Sequence, residues 1–421
     1  MRYPFFIAFL SINFFFIKGY AQTIVSGGIY SDTHWTKDKS PYKIISKVVV
    51  FDGASLYIHA GVEVIVSKDV TIEIRGDIKA EGTWAEKIII KGDTSNHCQN
   101  FWKGIIFIGT QGQLGYGNQG NFNYCNISDA STLFDFDIAY HGPYIIKNCG
   151  LSYNHQVHED GGWGGVFFDN CTISHNYTGI SSFQFGGSTK NCIIEYNDIG
   201  VYGGDSIINC IVRNNTSVGI NSADYINHCE ISNNPVGVRN WFIGDAFFEN
   251  NNIHDNVVGL IVDEYFPGHQ VSNNIFCNNI DYNIVSTTFN NASFPNCCWC
   301  STDENFIRSK IYDGYNDISL GLVNFLPFKD SCNTNEDGQS IQQVLCYPNP
   351  LKMGQELFIK SANTNFSFYM FDTYGRKILL NVQYLNSVYT LIPQINGIGI
   401  YYLSAYDFIK QKSNTFVILV N

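Results

Sequence analysis

Aligned on cysteine, the middle of the chain returns to one signature about every twenty residues. "NCTISHNYTGI" (Asn170–Ile180) is followed by "NCIIEYNDIGV" (Asn191–Val201). Copies start at Cys125, Cys149, Cys171, Cys192, Cys210 and Cys229, and Asn251 and Asn273 continue the slot; the steps are 24, 22, 21, 18, 19, 22 and 22 residues. Two positions on stands an apolar residue: Ile127, Leu151, Ile173, Ile194, Val212, Ile231, Ile253, Ile275. Five positions on stands asparagine: Asn154, Asn176, Asn197, Asn215, Asn234, Asn256, Asn278. Glycine follows at Gly179, Gly200, Gly219, Gly237 and Gly259. Side chains two apart share one face of a strand, not a helix stripe. A period this short fits a solenoid, and a propeller blade needs roughly 40 residues. Fixed leucines and helical stretches, the marks of a leucine-rich repeat, are absent. The expected fold is therefore all-β, a parallel β-helix with one repeat per coil.

Each column then has a physical role. Cysteine and isoleucine point inward and stack on their equivalents about 4.8 Å along the axis. Such cysteines act as small buried hydrophobes, so the column is expected to hold reduced thiols. The asparagine amides bond to one another and to the turn backbone. Glycine is expected to supply backbone freedom for the next turn. Disulfides are expected instead among Cys297, Cys298, Cys300, Cys332 and Cys346, with the pairing open.

Export is the second expectation. Residues 1–21 read as a signal peptide: Arg2, the apolar run Phe5–Ile17, and small residues up to Ala21. No anchor is expected in the membrane after cleavage, because the run is short and no later stretch resembles a span. Net charge is −12, which argues against nucleic acid as a partner. The polar stretch at 329–344 reads as a linker between a coil domain, 22–328, and a small β-sandwich, 345–421.

The segment "CCWCSTDENFIRSKIYDGYNDISLGLVNFLPF" (Cys297–Phe328) resembles the closing segment of right-handed β-helix proteins with a pectin-lyase-like fold. "ASLYIHAGVEVIV" (Ala54–Val66), "GDIKAEGTWAEKIIIKG" (Gly76–Gly92) and "WKGIIF" (Trp102–Phe107) are similar to their early coils. Cys298-Trp299-Cys300 departs from the usual aromatic–aromatic–glycine. "STDE" (Ser301–Glu304) has a capping-box pattern, and Phe306, Ile307 and Ile311 would give a capping helix its apolar side. Residues 345–421 resemble the C-terminal sorting domain of the type IX secretion system of the Bacteroidetes, an immunoglobulin-like sandwich. Its motifs here are Tyr347, Pro348, Asn349 and Pro350, then Gly375 and Gly399. That resemblance implies type IX machinery as a partner, passage across the outer membrane, and display at the cell surface or release.

The pectin-lyase resemblance implies acidic polysaccharides as substrates, clustered carboxylates for calcium, and a basic residue as catalytic base. Four residues are the candidates on the outward face: Glu195, Arg213, Glu230 and His254. They offer a base with two carboxylates; the plainer alternative is a surface salt bridge with a neighbouring histidine. Calcium wants more oxygen ligands than two separated glutamates supply, so neither metal nor cofactor is assigned. A second cluster, His155, His158, Glu159 and Asp160 beside Trp163, is expected in a glycine-rich turn. It could hold a metal, stack on a sugar, or be an ordinary solenoid turn. Trp241 is a further candidate sugar platform. The expected function is an exported, surface-displayed binding or adhesive module for glycans or extracellular matrix. A polysaccharide lyase or glycoside hydrolase is the alternative, and a structural cell-envelope protein a third reading.

Overall fold

The computed structural model describes residues 22–332 except 110–118, 137–142, 161–164, 183–186, 204–205, 242–246 and 266–268, and residues 345–420 except 348–350, 361–365, 373–375, 386–387, 396 and 408–411. Two compact units make up the chain, Met1–Asp330 and Ser331–Asn421. The leader at 1–21 and Trp163 lie outside the described residues.

The first unit is a right-handed parallel β-helix of about 10 turns. Each coil is three short strands, for example Gly120–Asn123, Cys125–Ser128 and Thr132–Phe136, then Tyr144–Lys147, Gly150–Ser152 and Gln156–Asp160. Every strand pairs in parallel with its equivalent one coil on, which builds three ladders along the axis. The first ladder has 11 strands. Tyr42–Val50 is long enough to open both other ladders, and Thr23–Ile29 covers its free edge.

The core follows the columns. Cys125, Cys149, Cys171, Cys192, Cys210 and Cys229 are buried and unbonded. They are not inert fillers. The Cys125 and Cys171 amides each donate to the sulfur one coil on, at 3.4 Å. Cys192 Sγ donates to the Lys190 carbonyl at 3.1 Å. Burial pushes the Cys229 thiol well above its ordinary value. Asn251 takes the same slot because its amide does the same work: it accepts from the Cys229 N–H at 2.9 Å and donates to the Ile226 carbonyl at 2.9 Å.

The asparagine column is a continuous buried ladder. Asn215 Oδ1 accepts from both the backbone N–H and the Nδ2 of Asn197, each at 3.1 Å. Its own Nδ2 donates to Asn234 at 3.0 Å and to the Ile194 carbonyl at 3.4 Å. The pattern runs from Asn154 through Asn256, so each turn's orphan groups are satisfied by the next coil.

Five expectations need correction. The last repeats are shifted by one: Ile253 lies opposite Phe276, and Asn251 bonds to Asn274. Asn274, Phe276 and Asn279 therefore hold the slots expected of Asn273, Ile275 and Asn278. In the sequence "NN" either asparagine fits; in space Asn273 takes the left-handed turn at φ 58° and Asn274 points inward. The glycine column is not there for turn freedom. Gly219 lies within a strand, and a Cβ on it would sit 2.6 Å from the Gly237 carbonyl oxygen of the next coil. Close approach is what demands glycine.

At the C-terminal end, helix Glu304–Ser309 is capped by Asp303, which accepts from the Asn305 N–H, rather than by Ser301. Ile307 is buried, but Phe306 is exposed. Ile311–Tyr312 adds a last rung to the third ladder. Buried Asp313 bonds Arg308 at 2.9 Å and the Val323 N–H at 2.8 Å, closing the end. Cys297 is free and buried, its thiol pushed up to about 12 by desolvation. The described disulfide joins Cys300 to Cys277, which the sequence reading did not single out; Cys298 and Cys332 are also disulfide-bonded.

The second unit has two four-stranded antiparallel sheets. Leu357 and Leu391 from one and Met370, Leu403 and Ile418 from the other share a core, as in a small sandwich. Tyr347 pairs with Phe358 and Gly399 with Val420. Pro348, Asn349, Pro350, Gly375 and the linker 333–344 lie outside the described residues.

Candidate functional site

The turn between the second and third ladders repeats from coil to coil. Its asparagine points inward, so the residues just before and after it splay outward. The preceding position is left-handed in every coil: φ is 58° at Tyr153, 59° at His175, 56° at Tyr196, then 55° at Asn214 and 56° at Asn233. Asparagine and histidine tolerate this region; a tyrosine there is less favourable. Tyr153 and Tyr196 nevertheless hold it, with His175 between them. Their rings stack in a row that His97 extends: His97–Tyr153 at 4.0 Å between centroids, Tyr153–His175 at 4.9 Å and His175–Tyr196 at 5.4 Å. A second row, His155–Tyr177 at 4.8 Å, runs on the other side of the asparagines.

The rows end one coil apart, at Tyr196 and Tyr177, which are 51% and 48% exposed. The coils beyond carry small polar groups in the same columns, Asn214 after Tyr196 and Asp198 and Thr216 after Tyr177. Thr216 donates to Asp198 at 2.7 Å. Two aromatic walls thus meet a polar ledge, the combination that sugar rings and their hydroxyls fit.

The four candidate catalytic residues do share a face. Glu195 lies opposite Arg213 on the next coil, and Ser232 separates Arg213 from His254. Their side-chain contacts group them into two couples. Arg213 Nε donates to Glu195 at 2.8 Å, and that carboxylate raises the guanidinium further above its ordinary value. An arginine so held is a poor base. His254 Nδ1 lies 2.7 Å from Asp255 and its Nε2 3.8 Å from Glu230. The outward column does not end in Phe276, which is buried, but in Cys277.

The second cluster is split by the fold. Gln156–Asp160 is a strand of the third ladder, not a turn. Pairing continues through it because Phe134 lies opposite His158. His158 is consequently buried, edge-on to Phe136 and Phe168, with neither ring nitrogen hydrogen-bonded. Burial lowers its pKa to about 3. Glu159 is exposed and accepts from Gln156 at 2.8 Å. Asp160 ends the strand, and only His155 joins the aromatic rows. Trp241 ends strand Val236–Trp241, opposite Glu264. Tyr153, Tyr177, His175, Tyr196 and His97 were missed by sequence reasoning. The signal was present: the column four after cysteine reads Tyr153, His175, Tyr196 in successive repeats.

Residues 27–131 match the family described as Pectate-lyase like beta helix domain. No curated protein matches the chain. Among solved structures it is similar to the tailspike protein gp49 of the Acinetobacter baumannii bacteriophage Fri1, a capsular polysaccharide depolymerase. That likeness has a TM-score of 0.32 and 10% identity, and covers 93% of this chain and 73% of that one. The family match and the three parallel ladders give the first unit the pectin-lyase-like right-handed β-helix fold.

Proposed function

We propose that this chain is an exported glycan-binding module, displayed at the cell surface by its C-terminal sandwich. The observation that carries the binding reading is the aromatic row at Tyr153, His175 and Tyr196. Folding alone would favour asparagine at these left-handed turns, as at Asn214 and Asn233. Backbone positions occupied at a conformational cost point to a role beyond stability. The export reading rests on the leader at 1–21 and on the resemblance of residues 345–421 to type IX sorting domains. Fold alone assigns no chemistry.

The polysaccharide lyase or hydrolase is the second reading, favoured by the pectate-lyase-like description of residues 27–131. Against it, a lyase must neutralise a carboxylate, abstract a proton and stabilise the charge that develops. Arg213 is committed to Glu195 and His254 to Asp255.

A glycan array with the full chain, run beside assays for reducing ends and unsaturated products, tests both. The expected result is saturable binding to a glycan class, lost in Tyr196→Ala and Tyr177→Ala at unchanged melting temperature, without turnover. Product formation that disappears in Arg213→Ala would replace the binding reading with the enzyme. No glycan binding and no turnover would leave the structural envelope role. For export, deletion of 345–421 in a host with type IX machinery is expected to leave the protein in the periplasm; normal surface display of the truncated chain refutes the assignment.

A further inference from the structure

The earliest coils carry two exposed histidines whose ring nitrogens converge. His34 lies in the edge strand Thr33–Trp35, and His59 ends the neighbouring strand Ser55–His59. In this parallel pair His34 stands opposite Tyr57. Alternation sends Trp35 and Ile58 into the core and leaves His34 and His59 exposed on the outer face. His34 Nδ1 and His59 Nε2 are 2.9 Å apart. The rings are held before any ligand arrives: His34 stacks on Tyr57 at 4.6 Å and 11°, and on His59 at 5.2 Å and 23°. Lys79 lies over the Tyr57 ring and fixes the platform beneath.

Two neutral imidazoles at this distance either share a proton or hold a metal ion. Metal–nitrogen bonds are about 2.0–2.1 Å. Two such ligands at a tetrahedral angle have nitrogens about 3.3 Å apart, and at a right angle about 2.9 Å. The observed separation is the right-angle one. Imidazole donors in cis positions of a tetragonal site suit Cu2+ or Ni2+. We propose that His34 Nδ1 and His59 Nε2 form a surface site for one such divalent ion, with water completing its coordination. Each imidazole binds neutral, its proton on the other ring nitrogen. Because Thr33–Trp35 is the first strand of its ladder, a bound ion clips the open end of the solenoid to the next coil.

The test uses the full chain without a polyhistidine tag. Calorimetric titration with NiCl2 is expected to show one saturable site with Kd below about 100 µM. One equivalent of CuCl2 is expected to give a tetragonal electron paramagnetic resonance spectrum with coupling to two nitrogens. His34→Gln and His59→Gln each weaken Ni2+ binding by about tenfold or more and remove one nitrogen from the Cu2+ spectrum. His228→Asn, on an exposed turn elsewhere, changes neither. The proposal is overturned if the wild type shows no saturable Ni2+ binding below 1 mM, or if both histidine variants bind as it does. Both sites are exposed, and unchanged circular dichroism separates loss of the site from loss of the fold.

Discussion

The coils before residue 108 and those after residue 119 share ladders but not the means of holding register. In the early coils the inward columns are aliphatic: Val48, Val50, Val64, Val66, Ile72, Ile74, Ile88 and Ile90. Coils are joined outside by ion pairs, Lys91–Glu63 between neighbours and Lys43–Asp93 across two coils, both at 2.8 Å. In the middle coils the same spaces hold hydrogen-bonding thiols and a buried amide ladder. Aliphatic columns reward burial at about 25 cal/mol per Å2 but are indifferent to small slides. A buried amide tolerates no slide, because one unmet donor or acceptor costs about 1–3 kcal/mol. The difference teaches that nearly identical repeats need a directional interaction to keep each coil against its own neighbour, whereas the less repetitive early coils do without.

That contrast can be broken at its strongest point first. Asn215→Ala removes the acceptor of the Asn197 amides and the donor to Ile194, and is expected to cost on the order of 4–6 kcal/mol. Urea unfolding measures it. A loss below about 1 kcal/mol would show that the amide ladder does not set register.

Next is His158, a polar group placed among the aromatic rings of the core. Its folded pKa, about 3, lies below the ordinary value of 6.5. The unfolded chain therefore binds the extra proton over that window. Stability is fully present above pH 6.5 and falls as pH drops toward 3, by on the order of 3–5 kcal/mol in all. His158→Leu should flatten this acid limb and leave the neutral-pH stability equal or higher. An unchanged limb would place the acid sensitivity elsewhere. Glu73 is the early-coil counterpart: burial would raise its carboxyl, yet Lys47 and Arg75 hold it below its ordinary value. Its contribution is present above the ordinary carboxylate range and lost only in stronger acid, so the two regions should respond in different pH windows.

Cys192→Val tests whether the thiol column is more than apolar filling. Valine keeps the volume but leaves the Cys171 N–H without its sulfur acceptor, for an expected loss of about 1–2 kcal/mol. A neutral outcome would reduce the column to packing. The smallest effect is expected outside. Arg213→Ala should change stability by less than about 1 kcal/mol, because the pair with Glu195 is partly solvated. A larger loss would mean that outward ion pairs hold register in the middle coils as well.

The fold was legible because its signal is repeated. Eight passes of an inward residue and an apolar residue, seven of them with an asparagine, fix a period that only a solenoid satisfies, and one ambiguous copy cannot hide it. Where a single copy decided, the sequence was insufficient. "NN" at Asn273-Asn274 permits two registers one residue apart, and only contact with the coil before selects Asn274. The glycine column was visible, but its cause was not: the clash is with the Gly237 carbonyl, which belongs to another coil. The site shows the same division. Glu195 and Arg213 were placed on one face by counting, while their mutual hydrogen bond is a fact of side-chain geometry. His158 looked like a turn ligand because glycines follow it, yet pairing with Phe134 draws it into the core. The sequence by itself determined the coil, its period and its inward columns, since these depend on alternation along one chain. Which outward groups meet across coils, at Tyr196, at Arg213 or at His34 and His59, was decided only by the tertiary structure, because register between coils brings together residues that no local pattern links.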